Sequence, residues 1–234
     1  ADAIKEADFR AGGFPARYGG RMGAILNIIN REGNTEKVSG SGNISFISSK
    51  ALLEGPVPKW RNIKGSWMVS GRRTYFDKII EQFSSEEFPY YFYDYQVKIN
   101  TDIGDNNRLT YSRFYGRDIL KFGFSDSESG DDGNRRQSDF NINWPWGNKT
   151  NGLTWRWIAT PNVIVKTFLA RSKYSFNMNF NGGDEFISPS DSMALDGAVV
   201  SYQDTSSITW GLRFNDTIED NTLETEITSL LSEN

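Results

Sequence analysis

The stretch YYFYDYQVKINTDI, residues 90–103, decides the fold. Tyr91, Tyr93, Tyr95, Val97 and Ile99 fall on every second position, and Asp94, Gln96, Lys98, Asn100 and Asp102 fill the positions between. A period of two sends successive side chains to opposite faces of an extended chain. The segment therefore reads as a strand with one apolar and one hydrated side. GDNN at 104–107 has the composition of a tight turn. RLTYSRFYGRDIL, residues 108–120, then returns as a second strand with Leu109, Tyr111 and Tyr115 in phase.

The pattern extends in both directions. Downstream, Leu153, Trp155 and Trp157 alternate with Thr154 and Arg156, and PN at 161–162 makes a short turn. In the run that follows, Tyr174, Phe176, Met178 and Phe180 oppose Lys173, Ser175, Asn177 and Asn179. Further on, Ile208, Trp210, Leu212 and Phe214 oppose Thr209, Gly211, Arg213 and Asn215. Upstream, Trp67, Val69, Gly71, Arg73 and Tyr75 share a face, while VSGSGNISFIS and KALLEGPV make a plausible first pair. Matching alternation templates gives about eight antiparallel strands in an all-β fold. Between them the composition predicts short turns at 104–107 and 160–162 and long polar loops at 81–89, 123–149 and 182–197, with the charged part at 125–139 mobile. Short turns on one side and long loops on the other are the habit of transmembrane β-barrels.

Composition removes several chemistries. The 234 residues contain no cysteine, which excludes disulfides and thiolate metal sites. They contain no histidine, which removes the usual general base and the commonest metal ligand. A net charge of −4 gives no basic field for nucleic acid. No run of about 18 apolar residues exists to form a transmembrane helix. The carboxylate pairs Asp131/Asp132 and Glu86/Glu87 sit in polar surroundings and read as solvated loop charge rather than a hydrolytic dyad. No enzyme activity and no cofactor or metal is expected.

FPARYGGRMGAILNIINREGN, residues 14–34, packs glycines and arginines before an apolar run. It has neither the dinucleotide-binding nor the P-loop spacing. Ile25, Ile28 and Ile29 are β-branched and predict a strand after the glycine-rich turn. This stretch, taken with LLEGPV at 52–57, SGRRTYFD at 70–77, YYFYDYQVKIN at 90–100 and WPWGNKTNGLTWRW at 144–157, resembles TonB-dependent outer-membrane receptors of the Bacteroidetes type. The resemblance spans about residues 9–215.

The resemblance implies a division of the chain. Residues 1–36 would be the end of a plug domain and 37–220 the first strands of an up-and-down transmembrane barrel wall. Residues 221–234 would be a tail or the start of a further strand. Arg17, Tyr18, Gly19, Gly20 and Arg21 would form the plug turn that meets the barrel. Arg72, Asp94, Gln96, Lys98, Arg156 and Arg213 would face the lumen, and Tyr93, Tyr95, Val97, Trp155, Trp157, Trp210 and Leu212 would face lipid. The implied location is the outer membrane of a Gram-negative bacterium. The implied partners are outer-membrane lipid, a periplasmic TonB-type energy transducer, a surface lipoprotein lid and an extracellular nutrient, with no nucleic acid. The family's energy-coupling box and most of its plug are not in this chain, which reads as a piece of a longer receptor. A competing expectation is a soluble β-sandwich that binds carbohydrate on a platform of Trp144, Trp146, Trp155 and Trp157.

Overall fold

The computed structural model describes residues 3–13, 15, 23–58, 63–75, 89–131, 133–193 and 199–230. Among these there is no helix, and every sheet pairing is antiparallel. A two-stranded hairpin of β1 (Ile4–Arg10) and β2 (Ile25–Asn30) precedes one large sheet. That sheet holds β3 (Ser39–Ile44), β4 (Ser48–Pro56), β5 (Ile63–Thr74), β6 (Tyr90–Ile103), β7 (Asn107–Ser129), β8 (Arg135–Thr160), β9 (Val163–Met193) and β10 (Val199–Ser229). Each strand pairs with its sequence neighbours, so the order is simple up-and-down and the sheet is open at β3 and β10.

The expected strands and both short turns are present. At the β6–β7 turn Gly104 has φ +65°, a conformation that side chains with a Cβ resist. Of the expected long loops, 81–89 falls outside the described residues save for its last position, and 123–149 and 182–193 are not loops as such. Residues 123–129 and 135–149 continue β7 and β8 through an unbroken register, and 182–193 continue β9. Polar composition misled because alternation survives within it: Phe124, Phe140 and Phe186 recur among charged neighbours. Residues 221–229 are strand, as one of the two expectations had it, but they complete β10 against the start of β9 rather than begin a further strand. β1 was not foreseen, because Lys5, Glu6, Asp8 and Arg10 leave it little apolar pattern.

Hydrogen-bond register assigns every side chain of the large sheet to one of two faces, because directly paired residues share a face. Strands β6 to β10 pair with no register shift apart from one at Ile158/Thr160, beside the β8–β9 turn. One face carries Tyr95 and the other Asp94. The sheet is a single layer over most of its length. Among the described residues the buried hydrophobic side chains are Ala3, Leu52 and Met68. Leu52 and Met68 lie on the Asp94 face of β4 and β5, where the chain just after β2 covers the wall.

Candidate functional site

Two features stand out, a clamp on the Asp94 face and a change of polarity along the strands. The clamp begins at the end of β2. The Asn30 carbonyl accepts from Lys98 Nζ at 3.0 Å. The Glu32 carbonyl accepts from Asn100 Nδ2 at 2.7 Å and from Ser66 Oγ at 2.5 Å. The Glu32 carboxylate takes Arg108 Nη2 at 2.5 Å, and Arg31 Nη2 reaches Glu54 Oε1 at 2.9 Å. Donors from β5, β6 and β7 thus converge on Asn30 and Glu32, while Arg31 between them donates to β4.

Burial matches this geometry. Ser66 and Asn100 are each about 1% exposed, and polar groups that deep need partners. Asn100 Oδ1 accepts from Thr110 Oγ1 at 2.9 Å, so both ends of its amide are used. The fit is close at Gly33, which has φ +90°. A Cβ there would lie 2.5 Å from the Trp67 carbonyl oxygen. Glycine is required twice over, by conformation and by space. Asn34 then turns the chain toward β3 by accepting the backbone N–H groups of Glu36 and Lys37.

The polarity change runs along β6 to β10. Nearest the short turns, the Tyr95 face is apolar. One row of paired residues reads Trp67, Ile99, Tyr111, Leu153, Leu169 and Leu223 across β5 to β10. Most of it is open, with Ile99 at 38% and Leu223 at 70% exposed. The Asp94 face of the same strand segments carries Lys98, Asn100, Thr110, Arg156, Lys166 and Glu224. Exposed apolar side chains set side by side across neighbouring strands are uncommon on a surface that meets only water.

Farther from the turns the two faces exchange character. The Tyr95 face becomes polar, with Lys149, Lys173, Glu219, Asn179 and Arg213. The Asp94 face becomes aromatic. Phe124 and Phe140 lie 5.3 Å apart, Phe140 and Trp210 6.0 Å, and Trp144 and Phe176 5.4 Å edge to face. Tyr90 stacks 6.2 Å from Trp146 and donates to Asp118 Oδ1. Desolvation and then that carboxylate push its phenol up to about 12. At the far rim, Ser138 Oγ and Arg136 Nη2 donate to Asp184 Oδ1 at 2.6 and 3.1 Å and hold its carboxyl below the usual range, the hydroxyl bond first.

Tyr93, Tyr95, Val97, Trp155 and Trp157 share the Tyr95 face. Arg72, Asp94, Gln96, Lys98 and Arg156 share the other, and Arg72 Nε bonds Asp94 Oδ2 at 2.8 Å. Trp210 and Leu212 lie on the Asp94 face and Arg213 lies on the Tyr95 face, so neither expected set shares a single face throughout. The local alternation of 208–215 is as expected, but its phase is opposite to that of the turn-proximal rows. Phe214 and Leu223 are an odd number of residues apart, which in an unbulged strand places them on opposite faces. That spacing was the available signal.

The four tryptophans do not form one platform. Trp144 and Trp146 lie on the Asp94 face and Trp155 and Trp157 on the other, the latter pair stacked at 5.9 Å. Arg17, Tyr18, Gly19, Gly20 and Arg21 lie outside the described residues, as do Glu86, Glu87 and Asp132. The clamp residues Ser66, Asn100, Thr110 and Arg108 were not singled out from sequence. They read as ordinary polar positions, and only long-range contact gives them a partner. Among the described residues no group of histidine, cysteine or carboxylate side chains could hold a metal ion. Comparison with family models, with curated proteins and with solved structures returned no match.

Proposed function

We propose that the chain supplies wall strands and an inner hairpin to an outer-membrane transport barrel of the TonB-dependent receptor kind. The Tyr95 face near the short turns meets lipid, and the Asp94 face lines the lumen. The observation that carries this reading is the coincidence of three features on one sheet. The sheet is up-and-down and antiparallel, its turn-proximal rows are apolar on the face left bare, and the opposite polar face holds a separate hairpin by hydrogen bonds. In water the bare apolar rows are a liability, whereas in a bilayer they are the requirement. Long strands fit too, because about 9–11 tilted residues cross a bilayer and β9 has 31.

On this reading the complete protein takes up a large or scarce nutrient, such as a metal chelate, glycan or peptide. A periplasmic energy transducer of the TonB type supplies the work, and a surface lipoprotein closes the outer mouth. No bond is made or broken, so no catalytic residue is assigned. The segment after β2 is where inner hairpin and wall are joined, so force on the hairpin is borne by the Asn30–Gly33 contacts. The test uses the full-length receptor in its own bacterium. It should fractionate with the outer membrane, and disrupting the clamp should abolish energy-dependent uptake while the protein stays at the surface. Recovery in the soluble periplasm would overturn the reading.

A further inference from the structure

Charge on the Tyr95 face is concentrated just beyond the apolar rows. Arg113, Arg117, Lys149, Arg171 and Lys173 sit there on β7, β8 and β9. One carboxylate answers them: Glu219 accepts from Lys173 Nζ at 2.7 Å and from Arg171 Nη2 at 3.1 Å. Lys149 is paired directly with Lys173 across β8 and β9. Like charges in directly opposed positions destabilise a sheet. Lys149 forms no ion pair with another described residue.

The other side of the wall at this level is the reverse. Asp94, Asp118, Asp216 and Asp220 occupy the Asp94 face there and outnumber its cations, Arg72, which is bound to Asp94, and Lys50 opposite Arg72. A single layer of strands therefore separates an acidic side from a basic one. Solvation alone gives no reason for such sorting, and whereas Lys166 of the Arg156–Lys166 pair on the Asp94 face has Glu226 directly opposite, Lys149 has no acidic residue opposite it on either neighbouring strand. An anion lying on the shelf answers both. The shelf continues the apolar rows without a gap, so the anion's carrier would lie along those rows. Long Lys and Arg stems can follow apolar surface while their charged ends reach a polar layer above it.

We propose that Arg113, Lys149, Arg171 and Lys173 bind the phosphate groups of an anionic lipid whose acyl chains cover the apolar rows below. The inference rests on the membrane reading above. It adds the chemistry of the headgroup and the strands that select it. Lysine and arginine at a bilayer surface attract anionic lipids, and the attraction falls away within a Debye length.

The full-length protein, extracted in detergent and supplied with equal amounts of bisphosphorylated lipid A and its dephosphorylated form, provides the test by native mass spectrometry. The phosphorylated lipid should be retained in preference by at least about tenfold. Lys149→Gln with Arg171→Gln and Lys173→Gln should abolish that preference. Lys121→Gln with Arg135→Gln and Arg213→Gln, on the same face but farther out, should leave it intact. Lys149→Gln alone relieves the lysine pair, so it should fold and still weaken retention. Equal retention of the two lipids by the unaltered protein, once inserted in a bilayer, would overturn the shelf while leaving the membrane reading standing. Failure of the unaltered protein to enter a bilayer at all would overturn both.

Discussion

The lower and upper halves of β9 and β10 are the same strands in one register, yet their faces have opposite character. Near the turns the odd-numbered positions are apolar, as at Leu169 and Leu223. Higher up the even-numbered positions are, as at Phe176, Phe180, Trp210 and Phe214. Backbone geometry cannot cause this, since no bulge intervenes between β9 and β10. On the proposed membrane reading, what changes is the medium each face meets. The lower half would have lipid outside and water within, and the upper half water outside and an aromatic lining within. The change of phase would then mark the height at which the surroundings change.

The largest effect should come from breaking the lower half. Leu153→Arg places a cation in the middle of the apolar row and should cost about 2–4 kcal/mol in the full-length protein folded into a bilayer. Asn179→Arg, on the same face of the upper half, should stay within about 0.5 kcal/mol. Urea titration in liposomes measures both. Similar losses at the two sites would erase the distinction between the halves.

The next effect concerns the clamp, which belongs to the lower half alone. Gly33→Val meets both the positive φ and the Trp67 carbonyl, and should cost about 1–3 kcal/mol. The readout is protease nicking after β2, which should quicken while the wall strands stay protected. A milder probe is Asn100→Ala, which leaves the Glu32 carbonyl with one side-chain donor and Thr110 without its acceptor. It should cost roughly 1–3 kcal/mol because these groups are buried. Hydrogen exchange at Arg31, whose N–H bonds the Ala3 carbonyl, should speed up if the clamp holds the hairpin in place.

The smallest effect sits at the far rim of the upper half, outside the apolar rows. Asp184 titrates below the ordinary carboxylate range because Ser138 and Arg136 donate to it. A depressed native value means its contribution is complete above the unfolded-state value and is lost as pH falls through the native one. Ser138→Ala should move the Asp184 titration upward and shift the onset of acid loosening at the rim to higher pH. Carbon-detected NMR on the Asp184 carboxyl would register an unmoved titration if the hydroxyl bond were immaterial.

Much of this architecture was legible in sequence, and the failures have physical causes. Residues 90–103 announced a two-sided strand because five apolar positions keep strict phase against five polar ones. The turns at 104–107 and 160–162 were legible through their composition. The distal parts of β7, β8 and β9 were hidden because serine, aspartate and glycine signal loops when neighbours along the chain are all one can see. In the structure cross-strand pairing overrides that preference, as at Ser138 against Asp184. The clamp was illegible for a different reason. Ser66, Asn100 and Arg108 acquire their role only through contact with Glu32, and no local pattern encodes that separation.

The claim that the two halves meet different media can be measured directly. The chain has no cysteine, so single cysteines can be introduced one at a time into the full-length protein without background. Spin labels at Leu153, Thr154, Asn179 and Phe180, read in outer-membrane vesicles, report access to oxygen dissolved in lipid and to a water-soluble nickel chelate. The account predicts lipid access at Leu153 and water access at Thr154, with water access at Asn179 and restricted motion at Phe180. Lipid access at Thr154 with water access at Leu153, or lipid access at Asn179, would contradict it.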